Sequence, residues 1–485
     1  MLKSSIINEL RAIVGKDHVM TEPEDMVVFS MDATVFNHLP EAVVQPSDRD
    51  QVVEIVKLAN RNSIPLTARG AGTGMSGGAT PLKGGIVIDM TRLNKIRKID
   101  AQHKYAIVEP GVITFDFASQ VAKIGLLYPP DPSTMKESTL GGNIAECAGG
   151  PKGVKYGITR NYVLSLEAVL PDGSVVETGN SIDGESVGPD WTMLMTGSEG
   201  TLGVITAITL RIVKPPEVKK TMLAVYNRLE DAAQTVSVTM SAGIIPTTLE
   251  IMDNYCIVAV ENYAKIGLPI HAAGILLIEV DGVPSTVEEN ANRIIEICRS
   301  CGATEVKVAQ TMAEAEGLWL GRRSIGRAYG QVAPCKYAED ATVPRSLIPK
   351  LVEKCVEIQN KYEVPIFICG HAGDGNLHPA ILFDKRNKEV TDRANKALDE
   401  LHIVTLELGG TLSGEHGIGF AKAPYLLAET GEVGFKLGQE VKTAIDPKGI
   451  MNPGKLFFYE GEQHEKQPSS KPHYDNSLFY MAPPG

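Results

Sequence analysis

The sequence predicts a multidomain α+β protein, and three observations lead to this fold class. The 485 residues exceed the length of one ordinary domain of about 150 residues. From Val27 to about Pro215, short apolar β-like runs alternate with helices and glycine-rich turns. Beyond the Pro215-Pro216 dipeptide, which interrupts all periodicity, a repeated βαβ pattern indicates an antiparallel sheet with helices on one face.

The elements of the first region follow from apolar spacing. Residues 1–14 form an amphipathic helix without the unbroken apolar segment of a signal peptide. Residues 47–50 cap a second helix, whose apolar residues recur at helical spacing over 52–58. Strands are predicted at 64–69 and 85–90, on the two sides of a glycine-rich loop.

The second region contains strands at 222–226 and 273–280 and helices at 230–242 and 287–301. The CxxC pair at the end of the last helix is interpreted as two small apolar residues at helical spacing, with a redox or metal role as the alternative. The ordered chain should end near Phe458, before a polar tail. We therefore predict four segments: 1–215, 221–410, 411–458 and 459–485.

Composition excludes several classes of protein. The net charge is −12 without a dense Lys/Arg block, which argues against nucleic-acid binding. No apolar run approaches the roughly 18 residues of a transmembrane helix. Seven scattered cysteines fit a reducing compartment, so we predict a cytoplasmic protein, with attachment to a membrane through a partner left open. The cysteines lack the spacing of an iron–sulfur site, so one-electron transfer would need another subunit.

Two histidines lie at the ends of a predicted hairpin. Apolar runs at 366–369 and 377–383 flank the turn 373–376, whose glycines suit a hairpin connection. On one straight strand His371 and His378 would face opposite sides, because side chains alternate. The turn allows the two imidazoles to converge.

A second glycine-rich segment supplies a carboxylate and a third imidazole, Glu415 and His416. His371, His378 and Glu415 form a set of two histidines and one carboxylate that suits a divalent metal with open positions for substrate. His416 is then free to act as a base. The alternative is a pair of histidines bonded to backbone beside a solvated glutamate, and Asp374 is interpreted as a turn former.

The loop 72–77 matches the pattern G-x-G-x-x-G of nicotinamide-binding folds, but its context does not. That pattern must open a helix, whereas residues 78–85 contain Pro81 and further glycines. Successive glycines still allow backbone N–H groups to approach phosphate oxygens. The alternative is an ordinary flexible loop.

Further motifs, most of them containing glycine, follow in a fixed order along the chain: 129–132, 138–150, 196–206, 370–378, 413–417 and 452–455. Together with the loop at 69–78 they resemble the flavin-dependent family of vanillyl-alcohol-oxidase fold. The branch most similar contains the glycolate oxidase FAD-linked subunit and the D-lactate and D-2-hydroxyglutarate dehydrogenases. The resemblance implies a PCMH-type FAD-binding domain of two subdomains and an antiparallel, ferredoxin-like substrate domain.

The resemblance also implies the residues that bind FAD. Thr73 stands where relatives with covalent flavin carry a histidine, so FAD should be non-covalent, with a thioether to Cys147 as the alternative. Asn452 is expected in a closing C-terminal strand. The FAD-binding residues implied are Arg69, Gly70, Ala71, Gly72, Thr73, Gly74, Ser76, Gly77, Pro129, Asp131, Thr139, Gly142, Asn143, Gly149, Glu199, Gly203, Ile205 and Asn452.

The same resemblance places the metal ligands, for zinc, manganese or iron, on His371, His378 and Glu415, and the catalytic base on His416. Each of these positions agrees with the interpretation of the residues themselves. The metal would hold the substrate hydroxyl while His416 removes its proton.

Arg322 is the implied clamp for the substrate carboxylate, since its planar fork suits that group. The alternatives are a surface arginine or the neighbouring Arg323. Lys336 and Tyr337 are expected to add substrate contacts, and Asn376 completes the catalytic candidates.

The resemblance therefore implies an FAD-dependent dehydrogenase. It would oxidise a small D-2-hydroxy acid, glycolate or D-lactate, to the 2-oxo acid by proton abstraction and hydride transfer to flavin N5. Electrons would pass to an iron–sulfur or other electron-transfer subunit, with residues 460–485 as a docking arm. The alternatives are a D-2-hydroxyglutarate dehydrogenase and a catalytically idle flavin-binding subunit, and a homo-oligomer stays open.

Overall fold

Three β-sheets with flanking helices make up the described part of the chain, residues 2–179 and 188–457 of a computed structural model. The first sheet has the strand order β1-β2-β4-β3, parallel except for β1. Asp48 caps α3, as the sequence predicts, by accepting a hydrogen bond from the Gln51 N–H. The elements are α1 (Ser4–Val14), β1 (Val19–Met20), α2 (Pro23–Met26), β2 (Ala42–Val44), α3 (Arg49–Asn62), β3 (Leu66–Arg69) and β4 (Ile86–Asp89).

The second sheet is antiparallel, with the order β5-β6-β9-β7-β8. The glycine-rich loop after β3 continues into turns and not into a helix, as the sequence predicts. The elements are β5 (Ile96–Asp100), β6 (Tyr105–Val108), α4 (Thr114–Lys123), α5 (Leu140–Glu146), α6 (Gly153–Tyr156), β7 (Val163–Val169), β8 (Val175–Gly179), α7 (Trp191–Met195) and β9 (Val204–Arg211).

The third sheet follows the proline pair and has eight strands, in the order β13-β10-β12-β11-β16-β17-β14 with β15 paired to β17. All its pairs are antiparallel. The strands are β10 (Val218–Tyr226), β11 (Thr248–Asp253), β12 (Gly274–Gly282), β13 (Ala303–Val308), β14 (Cys335–Ala338), β15 (Ala341–Thr342), β16 (Ile366–His371) and β17 (Asn376–Phe383).

The helices of this region cover both faces of the third sheet, so the expectation of one covered face is wrong. Strand residues alternate, and β10 sends Ala224 to one core and Val225 to the other. Helices α8, α10, α12 and α13 contribute to the first core, and α9 and α11 to the second. The helices are α8 (Leu229–Ser241), α9 (Asn254–Ala264), α10 (Pro284–Ser300), α11 (Met312–Val332), α12 (Ile348–Tyr362), α13 (Lys388–Glu407) and α14 (Ala423–Ile445).

The C-terminal segment returns to the first sheet, but not as a strand. Met451 makes an isolated bridge to Leu66, and Asn452 has a φ of +41°, which an extended strand does not allow. The expected closing strand is therefore wrong. Among the described helices, none has the length and apolar character to cross a membrane. The tail 459–485, Phe458 and the proposed docking arm lie outside the described residues.

Candidate active site

A cavity is formed where the glycine-rich segments of the first two sheets meet the segment carrying Glu415 and His416. Pro132, from the predicted segment 129–132, also lines it, as do Ser133 and Thr134, which were not among the candidates. The predicted FAD-binding residues that line the cavity are Arg69, Gly70, Ala71, Gly72, Thr73, Gly74, Thr139, Gly142, Asn143, Glu199, Gly203 and Ile205.

The other predicted FAD-binding residues do not line this cavity: Ser76, Gly77, Pro129, Asp131, Gly149 and Asn452. Ser76 Oγ donates to the His416 carbonyl at 2.8 Å. Asp131 pairs with Lys152 at 3.2 Å. Asn452 Nδ2 donates to the carbonyls of Gly78 and Glu199 at 2.8 and 2.7 Å. These side chains hold the lining segments together.

The backbone of the glycine-rich loop fits a diphosphate. The N–H groups of residues 71–76 donate no hydrogen bond to another residue of the described chain, so they are available to anionic oxygens. The Arg69 guanidinium is not a free cation, because it donates to the carbonyls of Met31 and Val28 at 2.8 and 3.1 Å. We infer that the loop backbone, and not the Arg69 side chain, would hold the FAD diphosphate.

Two carboxylates meet at one wall of the cavity, Glu146 and Glu199. A Cβ on Gly417 would collide with both of them, so the glycine leaves room for the pair. Glu199 accepts from the Ile418 and Gly419 N–H groups at 2.7 Å each, while Glu146 Oε2 is buried without a partner among the described residues. Burial raises the pKa of Glu199 to about 7, and burial together with Glu199 raises the pKa of Glu146 well above its ordinary value.

The predicted hairpin is confirmed, and it brings the two histidines together. Strands β16 and β17 pair His371 with Asn376 and Cys369 with His378. The His371 and His378 ring centroids are 4.9 Å apart. Glu415 Oε1 lies 3.0 Å from His371 Nε2 and 3.1 Å from His378 Nε2. The alternative interpretation expected both histidines to bond to backbone. In the described part of the chain such a contact is found for His378, whose Nδ1 lies 3.2 Å from the Glu339 carbonyl, and not for His371.

Asp340 is a member of this cluster that the sequence did not indicate. Its Oδ2 accepts from the Glu415 and His416 N–H groups at 2.9 and 2.8 Å. Its Oδ1 is buried without a hydrogen-bond partner among the described residues and lies 3.9 Å from His378 Nδ1. Within residues 2–179 and 188–457, the metal-capable atoms of Asp340, His378, Glu415 and His416 lie within 4.8 Å of one another. His371 lies outside this set and contacts it through Glu415 Oε1 and the His378 ring.

The donor chemistry of the cluster fits a divalent cation. Imidazole and carboxylate are the ligands that zinc, manganese and iron share, and one carboxylate oxygen of Asp340 accepts no hydrogen bond in the described chain. Burial lowers the pKa of His371, but Glu250 and Glu415 outweigh burial and raise it well above its ordinary value. The acidic groups thus favour a positive charge at this point, which a metal ion would supply.

His416 differs from the other two histidines in its surroundings. Its ring stacks on His378 with centroids 4.8 Å apart, and its Nδ1 is buried without a partner in the described part of the chain. Burial lowers the pKa of His416 to about 4. At neutral pH the ring is therefore uncharged and has a lone pair that can accept a proton.

Arg322 is buried, so the alternative of a surface arginine is wrong. Its Nε donates to Glu250 Oε2 at 2.6 Å, and Glu250 Oε1 lies 2.7 Å from His371 Nδ1. Arg323, one position along α11, is exposed and pairs with Glu316. The helix thus directs only Arg322 towards the histidine cluster.

Two further candidates lie at the edges of the site. Lys336 on β14 lines a second, smaller cavity with Tyr337, and its Nζ lies 5.8 Å from the Tyr329 ring centroid. Burial lowers the pKa of Lys336. Asn376 is buried at the hairpin, and its Oδ1 has no partner among the described residues.

Glu250 and Asp340 are the site residues that sequence reasoning missed. Glu250 lies in β11, whose six residues are all buried, and an acid inside such a strand is a usable signal because buried carboxylates need partners. Asp340 has no comparable signal, because its role depends on how the loops pack. Of the cysteines considered from the sequence, Cys298 packs in the sheet core, and Cys147 accepts from Arg160 Nε at 3.1 Å.

Comparisons with known proteins identify the family. The FAD binding domain family matches residues 40–179, and the C-terminal domain of FAD linked oxidases matches residues 215–456. The chain is 43% identical over 458 residues to glycolate oxidase subunit GlcD of Bacillus subtilis, covering 94% of this chain and 97% of the relative. It is 36% identical over 429 residues to a D-lactate dehydrogenase of Anaerostipes hadrus, covering 86% and 90%.

Solved structures give the same fold. p-Cresol methylhydroxylase superposes with a TM-score of 0.79 at 20% identity, covering 94% of this chain and 96% of the other. A 4-ethylphenol oxidase from Gulosibacter chungangensis superposes with a TM-score of 0.79 at 18% identity, covering 94% and 97%. The predicted PCMH-type α+β fold is thereby confirmed. With both family domains matched along its length, the chain belongs to the FAD-linked oxidases.

Proposed function

We propose that this enzyme is an FAD-dependent dehydrogenase of a small D-2-hydroxy acid, glycolate or D-lactate. The observation that carries the proposal is the meeting of two sites: Glu415 and His416 line the cavity of the glycine-rich loops and also belong to the histidine cluster. A substrate there would contact both the cofactor and the cluster. The names of the relatives, a glycolate oxidase subunit and a D-lactate dehydrogenase, support the substrate class.

The residues of the chain divide the chemistry among them. Arg322 would bind the substrate carboxylate with its planar fork, which orients the substrate. His416, neutral at pH 7, would accept the hydroxyl proton at its free Nδ1. A divalent metal held by His371, His378 and Glu415, with Asp340 close by, would supply Lewis acidity that makes this proton more acidic. FAD held by the glycine-rich loops would supply the hydride acceptor.

A substrate panel tests the proposal. Purified flavoprotein would be assayed with D- and L-2-hydroxy acids and with glycolate, using an artificial electron acceptor, before and after chelation. We expect turnover of glycolate or a D-acid and a loss of activity on chelation that added metal reverses. Turnover only of L-acids, or full activity in metal-free enzyme, would contradict this assignment.

The panel also addresses the two alternatives. A preference for D-2-hydroxyglutarate would indicate a larger substrate pocket. A protein that binds FAD but oxidises no acid would be a flavin-binding subunit without catalysis. The presence of His371, His378, Glu415 and His416 together argues against that second alternative.

The electron acceptor is proposed to be a partner protein of the electron-transfer class. Support comes from the two GlcD relatives, which are named as subunits. The loop 72–77 is followed by turns instead of a helix, so the requirement for a nicotinamide site is not met. Co-purification from the native source tests this, with a truncation after Phe458 as the comparison. Rapid reduction of NAD by the isolated chain would refute the partner requirement, and an unchanged complex after truncation would refute the docking arm.

A further inference from the structure

Glu250 contacts two of the predicted site residues at once. It is fully buried on β11, where its Oε2 accepts from Arg322 Nε at 2.6 Å and its Oε1 lies 2.7 Å from His371 Nδ1. The opposite nitrogen of His371, Nε2, lies 3.0 Å from Glu415 Oε1. A continuous chain of charge-assisted hydrogen bonds therefore runs from Arg322 to Glu415.

We propose that Glu250 is a positioning residue that couples the carboxylate-binding end of the substrate site to its metal-binding end. The inference rests on the proposed function. It assigns Glu250 no contact with substrate, because both carboxylate oxygens are occupied by Arg322 and His371.

At the metal-binding end, Glu250 sets the tautomer of His371. A proton held on Nδ1 by the carboxylate leaves the Nε2 lone pair for a cation. The ring orientation is set by the same contact, since the imidazole is buried between Glu250 and Glu415. Loss of the Glu250 carboxylate should therefore weaken metal binding, although Glu250 is not itself a ligand.

At the substrate end, Glu250 orients the guanidinium. Because Glu250 accepts from Nε, the Nη groups of Arg322 stay available for the substrate. These groups can donate two parallel hydrogen bonds to a carboxylate. Among the described residues, the Arg322 side chain makes no other hydrogen bond. A displaced Glu250 would thus change the position of the arginine as well as that of the histidine.

Glu279 provides a matched control in the same sheet. It is buried on β12, the strand next to β11, at the register position opposite Thr248. Its carboxylate accepts from Thr221 Oγ1 at 2.9 Å and from Trp319 Nε1 at 3.2 Å. Glu279 therefore shares the burial and the sheet of Glu250 without any contact to Arg322 or His371.

The test compares Glu250→Gln with Glu279→Gln in the full-length flavoprotein. Zinc and manganese affinities would be measured by competition with a chromophoric chelator, alongside FAD content, thermal unfolding and the KM of the best substrate from the panel. In Glu250→Gln we expect metal affinity to fall about 10- to 100-fold and KM to rise. In Glu279→Gln we expect both quantities to stay at the wild-type value.

A second variant tests the coupling from the other end. Arg322→Lys keeps the positive charge but loses the Nε donor that holds Glu250, so it should also weaken metal affinity although Arg322 is not a ligand. Arg323→Lys should leave metal affinity unchanged. Should Glu250→Gln fail to fold, the affinity of Arg322→Lys alone decides the proposal.

Wild-type metal affinity in Glu250→Gln, or in Arg322→Lys, would overturn the proposal. A lower unfolding temperature with unchanged metal affinity and KM would also overturn it, since Glu250 would then be only a structural residue. A wild-type protein that binds metal but oxidises no 2-hydroxy acid would refute the proposed function alone, because the metal affinities of the variants would still decide the role of Glu250.

Discussion

At the scale of single residues, His416 has two possible roles that one variant separates. It lies within 4.8 Å of three other metal-capable groups, yet its pKa is lowered to about 4 by burial, which suits a neutral base. We predict that His416→Ala lowers kcat about 10²-fold or more, the usual contribution of a general base, while metal and FAD stay bound.

Metal analysis and steady-state kinetics check this. His103→Ala is the control, because His103 is exposed and its ring pairs with Asp100, away from the site. A metal-free His416→Ala protein would make His416 a ligand instead of the base. An unchanged kcat would exclude both roles.

The flavin linkage is also decided by single residues. The family resemblance implies that Thr73 lies in the loop region where relatives with covalent flavin carry a histidine. Cys147 does not line the cavity and accepts from Arg160. We predict that acid precipitation releases all of the yellow flavin into the supernatant, measured by absorbance. Flavin retained on denatured wild-type protein but released from Cys147→Ala would instead identify a thioether at that cysteine.

At the scale of elements, α11 turns two neighbouring arginines to opposite environments. Arg322 is buried against Glu250, and Arg323 is exposed beside Glu316. We predict that Arg322→Lys raises the KM for 2-hydroxy acids about tenfold or more. Lysine would lose one of the hydrogen bonds from the guanidinium to the substrate carboxylate, and a hydrogen bond to a charged group contributes about 1.5–3 kcal/mol.

Arg323→Lys is the matched control and should keep the wild-type KM. Initial-rate kinetics over a substrate series measure both values. Equal KM values in the two variants would remove Arg322 from the substrate site.

The elements also show which features of the site can be predicted from sequence. The hairpin that carries His371 and His378 is local, so turn glycines and apolar runs suffice to predict it. Glu250 reaches His371 only because β11 pairs with β16, which places Ile251 opposite Gly370. Nothing in either strand specifies that partner, because strand pairing over long sequence separation depends on the whole fold. The face of the sheet that each helix covers also depends on the whole fold, so helices on both faces were not predicted.

At the scale of the whole molecule, distant segments meet at the cofactor cavity. Asn452 bonds to the carbonyls of Gly78 and Glu199, and the Asn452 N–H donates to Leu66 at 2.7 Å. The C-terminal segment therefore connects, through hydrogen bonds, the glycine-rich loop that ends at Gly78 and the segment that contains Glu199. Motif order along the sequence predicts which segments take part, whereas these contacts depend on tertiary packing.

The same junction makes stability depend on pH. Burial raises the pKa of Glu199 to about 7, and burial together with Glu199 raises the pKa of Glu146 well above its ordinary value. In the unfolded chain both carboxyls have a pKa of about 4.3. Between these values the folded protein binds more protons than the unfolded chain, so the free energy of unfolding falls as pH rises from about 4.3 to about 7.

We predict that flavin-free Glu146→Gln loses less stability over this range than the wild type, because the substitution removes one of the two buried charges. Below about pH 4 both carboxyls are protonated in the folded wild type and largely protonated in its unfolded chain, so the two proteins should then be similarly stable. Urea denaturation at each pH measures the difference, with the exposed Glu54→Gln as control. Parallel stability curves for wild type and Glu146→Gln would show that Glu146 is not the group that titrates, and that another partner neutralises it in the folded protein.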